Sequence, residues 1–385
     1  MDKQLNFESL FWQFKEKTIS GRYINPGHIE PLLLKYKKGV QIVGNSVMGR
    51  PIYALTIGKG NIRILMWSQM HGNESTTTKA LFDFFNLLNS DTPLAEKIKE
   101  NFTFFCIPML NPDGAEVYTR ENSNGIDLNR DAQNLSQPES KTLRNSFDSF
   151  KPHYCYNLHD QRTIFGLGDL PKPATVSFLA PAFDESRQNN ENRIKAMHVI
   201  VAMNRALQQF IPDQVGRFDD TFNLNCVGDT FQALQVPTIL FEAGHYQNDY
   251  DREGTRKFIF IALLSGLLHI NENVIVNSDI TDYLNIPQNK VCFYDLVYKN
   301  VRINYDANEI ITNFAAQYKE ELIDTNVTFK AYFTEIGSIE NRSGHFEYDA
   351  KGAKYFDQCG NVPKLDESAD FYLDAVQVVN GMIKS

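Results

Sequence analysis

The apolar positions of this chain follow two rhythms in alternation. Between residues 40 and 67 they alternate or run together, which predicts strands at 40–43, 52–57 and 62–67. After Ser75, a residue suited to capping a helix, Ala80, Leu81, Phe84, Phe85 and Leu88 recur close to every 3.6 residues and predict a helix. A strand at 102–107 follows, then a turn at NPDG (111–114) and a polar loop to about residue 137. Further apolar runs at 154–158 and 238–241 read as strands, separated by a long helical pattern over 191–210. A last helical pattern covers about 252–270. Strands alternating with helices predict an α/β fold, with a mixed, largely parallel central sheet flanked by helices.

Beyond a polar connector, NSDITDYLNIPQNK (277–290), the texture changes. VCFYDLVYKNVRINY, TFKAYFTEI and ADFYLDAVQVV suggest short strands. The expected organisation is a catalytic domain over residues 1–275 and a small C-terminal β-rich accessory domain over 286–385. No internal repeat or low-complexity segment interrupts either.

Composition narrows the partners. With 42% apolar and 22% charged residues the chain has ordinary globular character. The net charge of −9 and the lack of a basic patch argue against nucleic acid and anionic membrane. No apolar run reaches the roughly 18–20 residues that span a bilayer. The N-terminal stretch carries charges and no small-residue cleavage site, unlike a signal peptide. Five scattered cysteines without CxxC spacing suit reduced thiols. Together these features predict a cytoplasmic protein; nothing in the chain specifies an oligomeric state.

Candidate chemistry gathers at strand ends. SQMHGNEST (68–76) sets His71 and Glu74 three apart just after an apolar strand, and YNLHDQ (156–161) delivers His159 at the end of another. Two histidines and a glutamate are one recurrent catalytic zinc set, and the carboxyl edge of an open α/β sheet is where sites form. RENSNGIDLNRD (120–131) packs Arg120, Asn129 and Arg130 into a loop with little to bury. TILFEAG (238–244) ends an apolar strand on Glu242, where an unpaired carboxylate is expensive.

Read in order, HGNE, NPDG, RENSNGIDLNR, NLHD and LFEAG resemble the zinc carboxypeptidase family, relatives of carboxypeptidases A, B and E, in a bacterial-type form. The similarity covers roughly residues 35–265. The resemblance implies a zinc carboxypeptidase-like fold and one Zn2+ ion held by His71, Glu74 and His159. Arg120 would polarise the scissile carbonyl, and Asn129 with Arg130 would hold the terminal carboxylate of a peptide or amino-acid-derived substrate. Glu242 would be the general base. The implied activity is zinc-dependent removal of C-terminal residues from peptides. The alternative is a zinc amidase of the aspartoacylase and succinylglutamate-desuccinylase type, acting on N-acyl amino acids.

Departures from the family pattern matter. Many members carry a mobile tyrosine about twenty residues before the catalytic glutamate, and no tyrosine lies between Tyr156 and Tyr246. Tyr246 is the candidate to line the substrate pocket instead. Asp131 adds a negative charge beside Arg130, where it would weaken the grip on a carboxylate or favour a nearby amine. Asp219, Asp220 and Asp229 are candidates for the base of a pocket that takes a basic side chain.

Overall fold

The computed structural model describes residues 5–36, 39–168, 171–272 and 278–384, so Lys37 and Lys38 of the basic KYKK run lie outside the described residues. The chain forms two compact units, one from residues 1–161 and 174–289 and the other from 162–173 and 290–385.

The first unit opens with helices α1 (Phe7–Phe14) and α2 (Pro26–Leu33). Strands β1 (Val40–Asn45), β2 (Pro51–Gly58) and β3 (Ile62–Ser68) lead into α3 (Thr76–Leu88) and α4 (Pro93–Asn101). Strand β4 (Phe102–Ile107), α5 (Pro112–Val117), α6 (Pro138–Phe150) and β5 (Tyr154–Asp160) come next. The chain crosses into the second unit for β6 (Phe165–Leu167) and β7 (Lys172–Pro173), then returns. The first unit closes with β8 (Val176–Leu179), α7 (Glu191–Leu207), β9 (Val215–Arg217), α8 (Val227–Ala233), β10 (Thr238–Ala243), α9 (Glu253–Asn271) and α10 (Thr281–Leu284).

Eight strands form one sheet in the order β1-β2-β4-β3-β5-β10-β8-β9. The central four, β4, β3, β5 and β10, run parallel, while β1, β2 and β8 make antiparallel pairings. The α/β expectation therefore stands. Strand alternation sorts the core into two faces. Ile64, Met66, Phe104, Tyr156, Leu158 and Phe241 pack with the apolar residues of α1, α3, α7 and α9. Leu65, Trp67, Phe105, Ile107 and Cys155 pack on the other face with Leu143, Phe147, Val227 and Phe231.

Charge is buried beneath α3. Lys79 donates to the carbonyls of Gly21 and Asp251 and to Glu253 at 2.6 Å. Asp83 pairs with Arg256 at 2.6 Å, with both side chains fully buried. These contacts join α3 to the N-terminal segment and to the start of α9.

The second unit is β-rich. Strands Asn326–Gly337, Ile310–Ile323, Phe293–Ile303 and Ser343–Asp349 form one four-stranded sheet, and four short strands between Tyr355 and Ile383 form another. A third sheet joins β6 and β7 to Lys290–Val291. No helix among the described residues is long and apolar enough to cross a membrane.

Two local expectations change. NPDG is a helix start rather than a free turn: Asn111 caps α5 by accepting from Gly114 N at 2.9 Å, with Pro112 in the first turn. Ser75 holds the N-cap position of α3, but its hydroxyl donates to the carbonyl of Arg22 instead of capping.

Candidate metal centre

The first pair of site residues sits in a loop that only a bare backbone can build. A Cβ placed on Gly72 would lie 2.0 Å from the carbonyl carbon of Gly114, and one on Gly114 would lie 2.6 Å from the carbonyl of Glu121. The glycines of HGNE and NPDG therefore meet backbone to backbone, which accounts for both motifs with one contact. Gln69, at φ 48°, directs the loop: its amide donates to the carbonyls of Ile24 and Gly72 and its oxygen accepts from Thr78. The turn closes with Glu74 N donating to His71 O at 3.1 Å, which puts both side chains on one side.

Strand β5 runs beside β3 and carries His159 to the same point. Nδ1 of His71 lies 2.7 Å from Glu74 Oε1, and Nδ1 of His159 lies 2.9 Å from Glu74 Oε2. The two Nδ1 atoms stand 3.2 Å apart. All three side chains are buried, and one donor atom from each falls within 4.8 Å of the others. His159 Nε2 is buried without a hydrogen-bond partner among the described residues. The next residue, Asp160, accepts from the backbone and hydroxyl of Thr76, and its own N–H donates to Glu74 Oε2 at 3.1 Å. Strand end and helix start are thus pinned together.

The sequence reading did not single out Asp127, yet it organises the site. Its Oδ1 accepts from His71 Nε2 at 3.0 Å and from Asn129 N at 2.8 Å. Its Oδ2 accepts from Nε and Nη2 of Arg120 at 3.1 and 3.0 Å. With Asp127 accepting a hydrogen bond from Nε2–H, neutral His71 turns its Nδ1 lone pair inward, as a metal ligand requires. Inward Nδ1 atoms from two imidazoles around one carboxylate form a donor set that fits a divalent zinc ion. Burial opposes ionisation of Glu74, but His71 and His159 outweigh it and hold the carboxyl well below its ordinary range.

Arg120 reaches the same group, with Nη1 3.2 Å from Glu74 Oε1 and its side chain 41% exposed. Glu242 is in register with His159 across the parallel pair β10–β5 and is half-buried in an otherwise apolar strand. No hydrogen bond or ion pair to a described residue occupies its carboxylate. Desolvation, then the negative charges of Glu74 and Asp160, push its carboxyl well above the usual value, against the pull of Arg120.

The remaining candidates lie around α8 and beyond. Asn129 Oδ1 accepts from Val227 N at 2.9 Å. Arg130 is exposed, with Nη1 2.7 Å from the carbonyl of Asn129 and 3.3 Å from Cys226 Sγ. Tyr246 packs its ring on Phe258 at 5.2 Å, against the apolar cluster of α9. Asp131 does not face Arg130. It is buried and accepts from Ser136 N, Ser136 Oγ and Gln137 N, so its charge is spent on the turn into α6. Asp220 pairs with Arg193, Asp219 binds Thr221 N, and Asp229 accepts from Asn223 N.

Residues 32–165 match the family model of the zinc carboxypeptidases, peptidase family M14. That segment contains the triad, Arg120, Asn129 and Arg130 but stops short of Glu242. The chain is 32% identical over 180 residues to carboxypeptidase SOL1 of Arabidopsis thaliana, which covers 38% of this chain and 36% of that protein. It is 31% identical over 128 residues to cytosolic carboxypeptidase 2 of Danio rerio, covering 31% of this chain and 17% of that one. The chain thus spans about a third or less of the length of these relatives. Among solved structures, the fold matches a metallo-carboxypeptidase from Burkholderia cenocepacia with a TM-score of 0.53 at 17% identity, over 65% of this chain and 70% of that one. The chain is thus similar to the zinc carboxypeptidases over residues 32–165, and its sheet has the fold of a solved metallo-carboxypeptidase.

Proposed function

We propose that this protein is a zinc-dependent carboxypeptidase that removes single residues from the C-terminus of peptides. The observation that carries the reading is the pairing of Glu242 with His159 across β10 and β5. It sets a half-buried carboxylate, free of protein partners among the described residues, beside the convergent triad. A zinc ion held by His71, Glu74 and His159 would supply a Lewis acid and a water acidified to a pKa of about 7.

The chain's own groups supply the rest. Glu242, with its raised proton affinity, takes the proton of the attacking water and passes it to the departing amine. Arg120, held by its fork on Asp127, offers a fixed cation to the oxygen that gains charge; one such donor is worth roughly 3–4 kcal/mol. Arg130 presents a planar guanidinium that matches a free carboxylate, and Asn129 stands beside it with its oxygen committed to α8 and its amide nitrogen available. Recognition of that carboxylate makes the enzyme an exopeptidase. Five unpaired cysteines support a reducing compartment for it.

A peptide panel tests the reading. With zinc-loaded protein, mass spectrometry should show loss of one residue at a time from free C-termini. The same peptides with amidated C-termini should be cleaved at least about 100-fold more slowly, given the weight of a charge-assisted bidentate contact. Equal cleavage of blocked and free peptides, or turnover of N-acyl amino acids alone, would contradict it.

A further inference from the structure

The proposed reaction holds the departing residue at two points, its carboxylate at Asn129 and Arg130 and its scissile bond at Glu242 and the triad. Its side chain must lie between them. On β5, His159 and Asn157 share a face, and on β10, Glu242 and Leu240 do. The register sets Glu242 beside His159 and Leu240 beside Asn157. Leu240 and Glu242 are also the two positions of β10 that are not fully buried. Helix α8 closes the other side: Val227 N binds Asn129, and a Cβ built on Gly228 would lie 3.7 Å from Asn157 Nδ2. Asn157 therefore stands between the carboxylate clamp and the reaction centre.

Its amide is unspent. Asn157 is 2% exposed, its Oδ1 is buried without a partner among the described residues, and its Nδ2 makes no hydrogen bond to them. Buried amides nearly always find partners, and an unmet one is costly. A ligand group that both donates and accepts would meet it; an aliphatic group would seal the amide away from water and leave it unpaired. Of the acids that could suit a basic side chain, Asp220 is ion-paired with Arg193, while Asp219 and Asp229 accept from the backbone of Thr221 and Asn223.

We propose that Asn157 reads the side chain of the released residue, and that the substrates are peptides ending in an uncharged hydrogen-bonding residue, an amide or hydroxyl, in preference to an aliphatic one. The proposal rests on the carboxypeptidase reading. Half-buried Leu240 supplies an apolar wall beside Asn157, whose amide supplies the polar floor.

The test compares acyl dipeptides whose last residues are close in size, asparagine against leucine and threonine against valine. The expected kcat/KM is about 10-fold or more higher for the polar member of each pair, and Asn157→Leu should abolish or reverse that ratio. In parallel, calorimetry on Glu242→Gln should show N-acetyl-asparagine binding about 10-fold more tightly than N-acetyl-leucine, a readout independent of turnover and of the folding of Asn157→Leu. Ratios near one or favouring the aliphatic member, in hydrolysis or in binding, overturn the role of Asn157 while leaving the carboxypeptidase reading intact. Cleavage of no free-carboxylate peptide, with neither ligand bound, defeats that reading as well.

Discussion

Asp127 accepts from His71, Arg120 and the backbone of Asn129 at once, so one carboxylate orients a metal-ligand candidate, the carbonyl-polarising candidate and the carboxylate clamp. An amide cannot accept from all of them. In Asp127→Asn either the amide nitrogen faces a donor or His71 changes tautomer and turns a proton toward the metal position. Zinc affinity should fall about 10–100-fold, measured by competition with a chromophoric chelator. Unchanged affinity would remove Asp127 from the centre. At this scale the sequence was informative where chemistry repeats and silent where contacts are distant. His71, Glu74 and His159 were legible because the ordered motifs HGNE and NLHD resemble those of the zinc carboxypeptidases; a histidine and a glutamate three apart are common by themselves. Asp127 stood inside a recognised motif, but an acid in a turn reads equally well as a cap. Asp131 shows the reverse: a neighbour of Arg130 in sequence, it turns its charge into the next turn instead.

Helix α3 carries the loop of His71 and Glu74, and it is held from below by buried charge. Burial opposes ionisation of Glu253, yet Lys79 and Lys15 outweigh it and bring its pKa down to about 2, whereas burial pulls Lys79 down to about 8. The two partners value the pair differently, because Glu253 gains and Lys79 loses. Only Glu253 titrates in acid, since Lys79 stays charged below pH 8. A folded pKa below the ordinary 4.5 means that the contribution is complete above pH 4.5 and is lost as the pH falls toward 2. It amounts to at most about 3 kcal/mol. Urea unfolding across that window should show Glu253→Gln less acid-sensitive than the parent; parallel curves would refute the linkage.

Elements were legible where apolar residues dominate. Strands β1 to β5 and β10 and helices α3, α7 and α9 follow from their apolar runs, whereas the short buried strand β8 was not foreseen. Helix α4 buries only Ala95 and Ile98, and α6 turns several polar side chains inward, so neither announces itself through hydrophobic rhythm. Thr92 before Pro93 and the Gln137–Pro138 step carried their start signals instead.

At the scale of the molecule, alternating strands and helices in the sequence led to the mixed sheet, and the sheet explains why distant motifs meet. Parallel pairing of β3, β5 and β10 brings residues 71, 159 and 242 to one edge. The excursion of residues 162–173 into the second unit was not legible, because its partners come from the far end of the chain. Phe165–Leu167 pairs with Lys290–Val291, and the carbonyl of Thr163 accepts from His345. Pairings over such separations leave no local mark in composition.

The account as a whole depends on Glu242 acting on a water beside an intact His71–Glu74–His159 centre. The direct measurement is zinc content together with single-residue release from a free C-terminus, in the parent protein and in Glu242→Gln. The account predicts about one zinc per chain in both, with turnover lowered roughly 10²–10⁴-fold in the variant. A variant that keeps near-parental turnover, or a parent protein that binds no zinc, would contradict it.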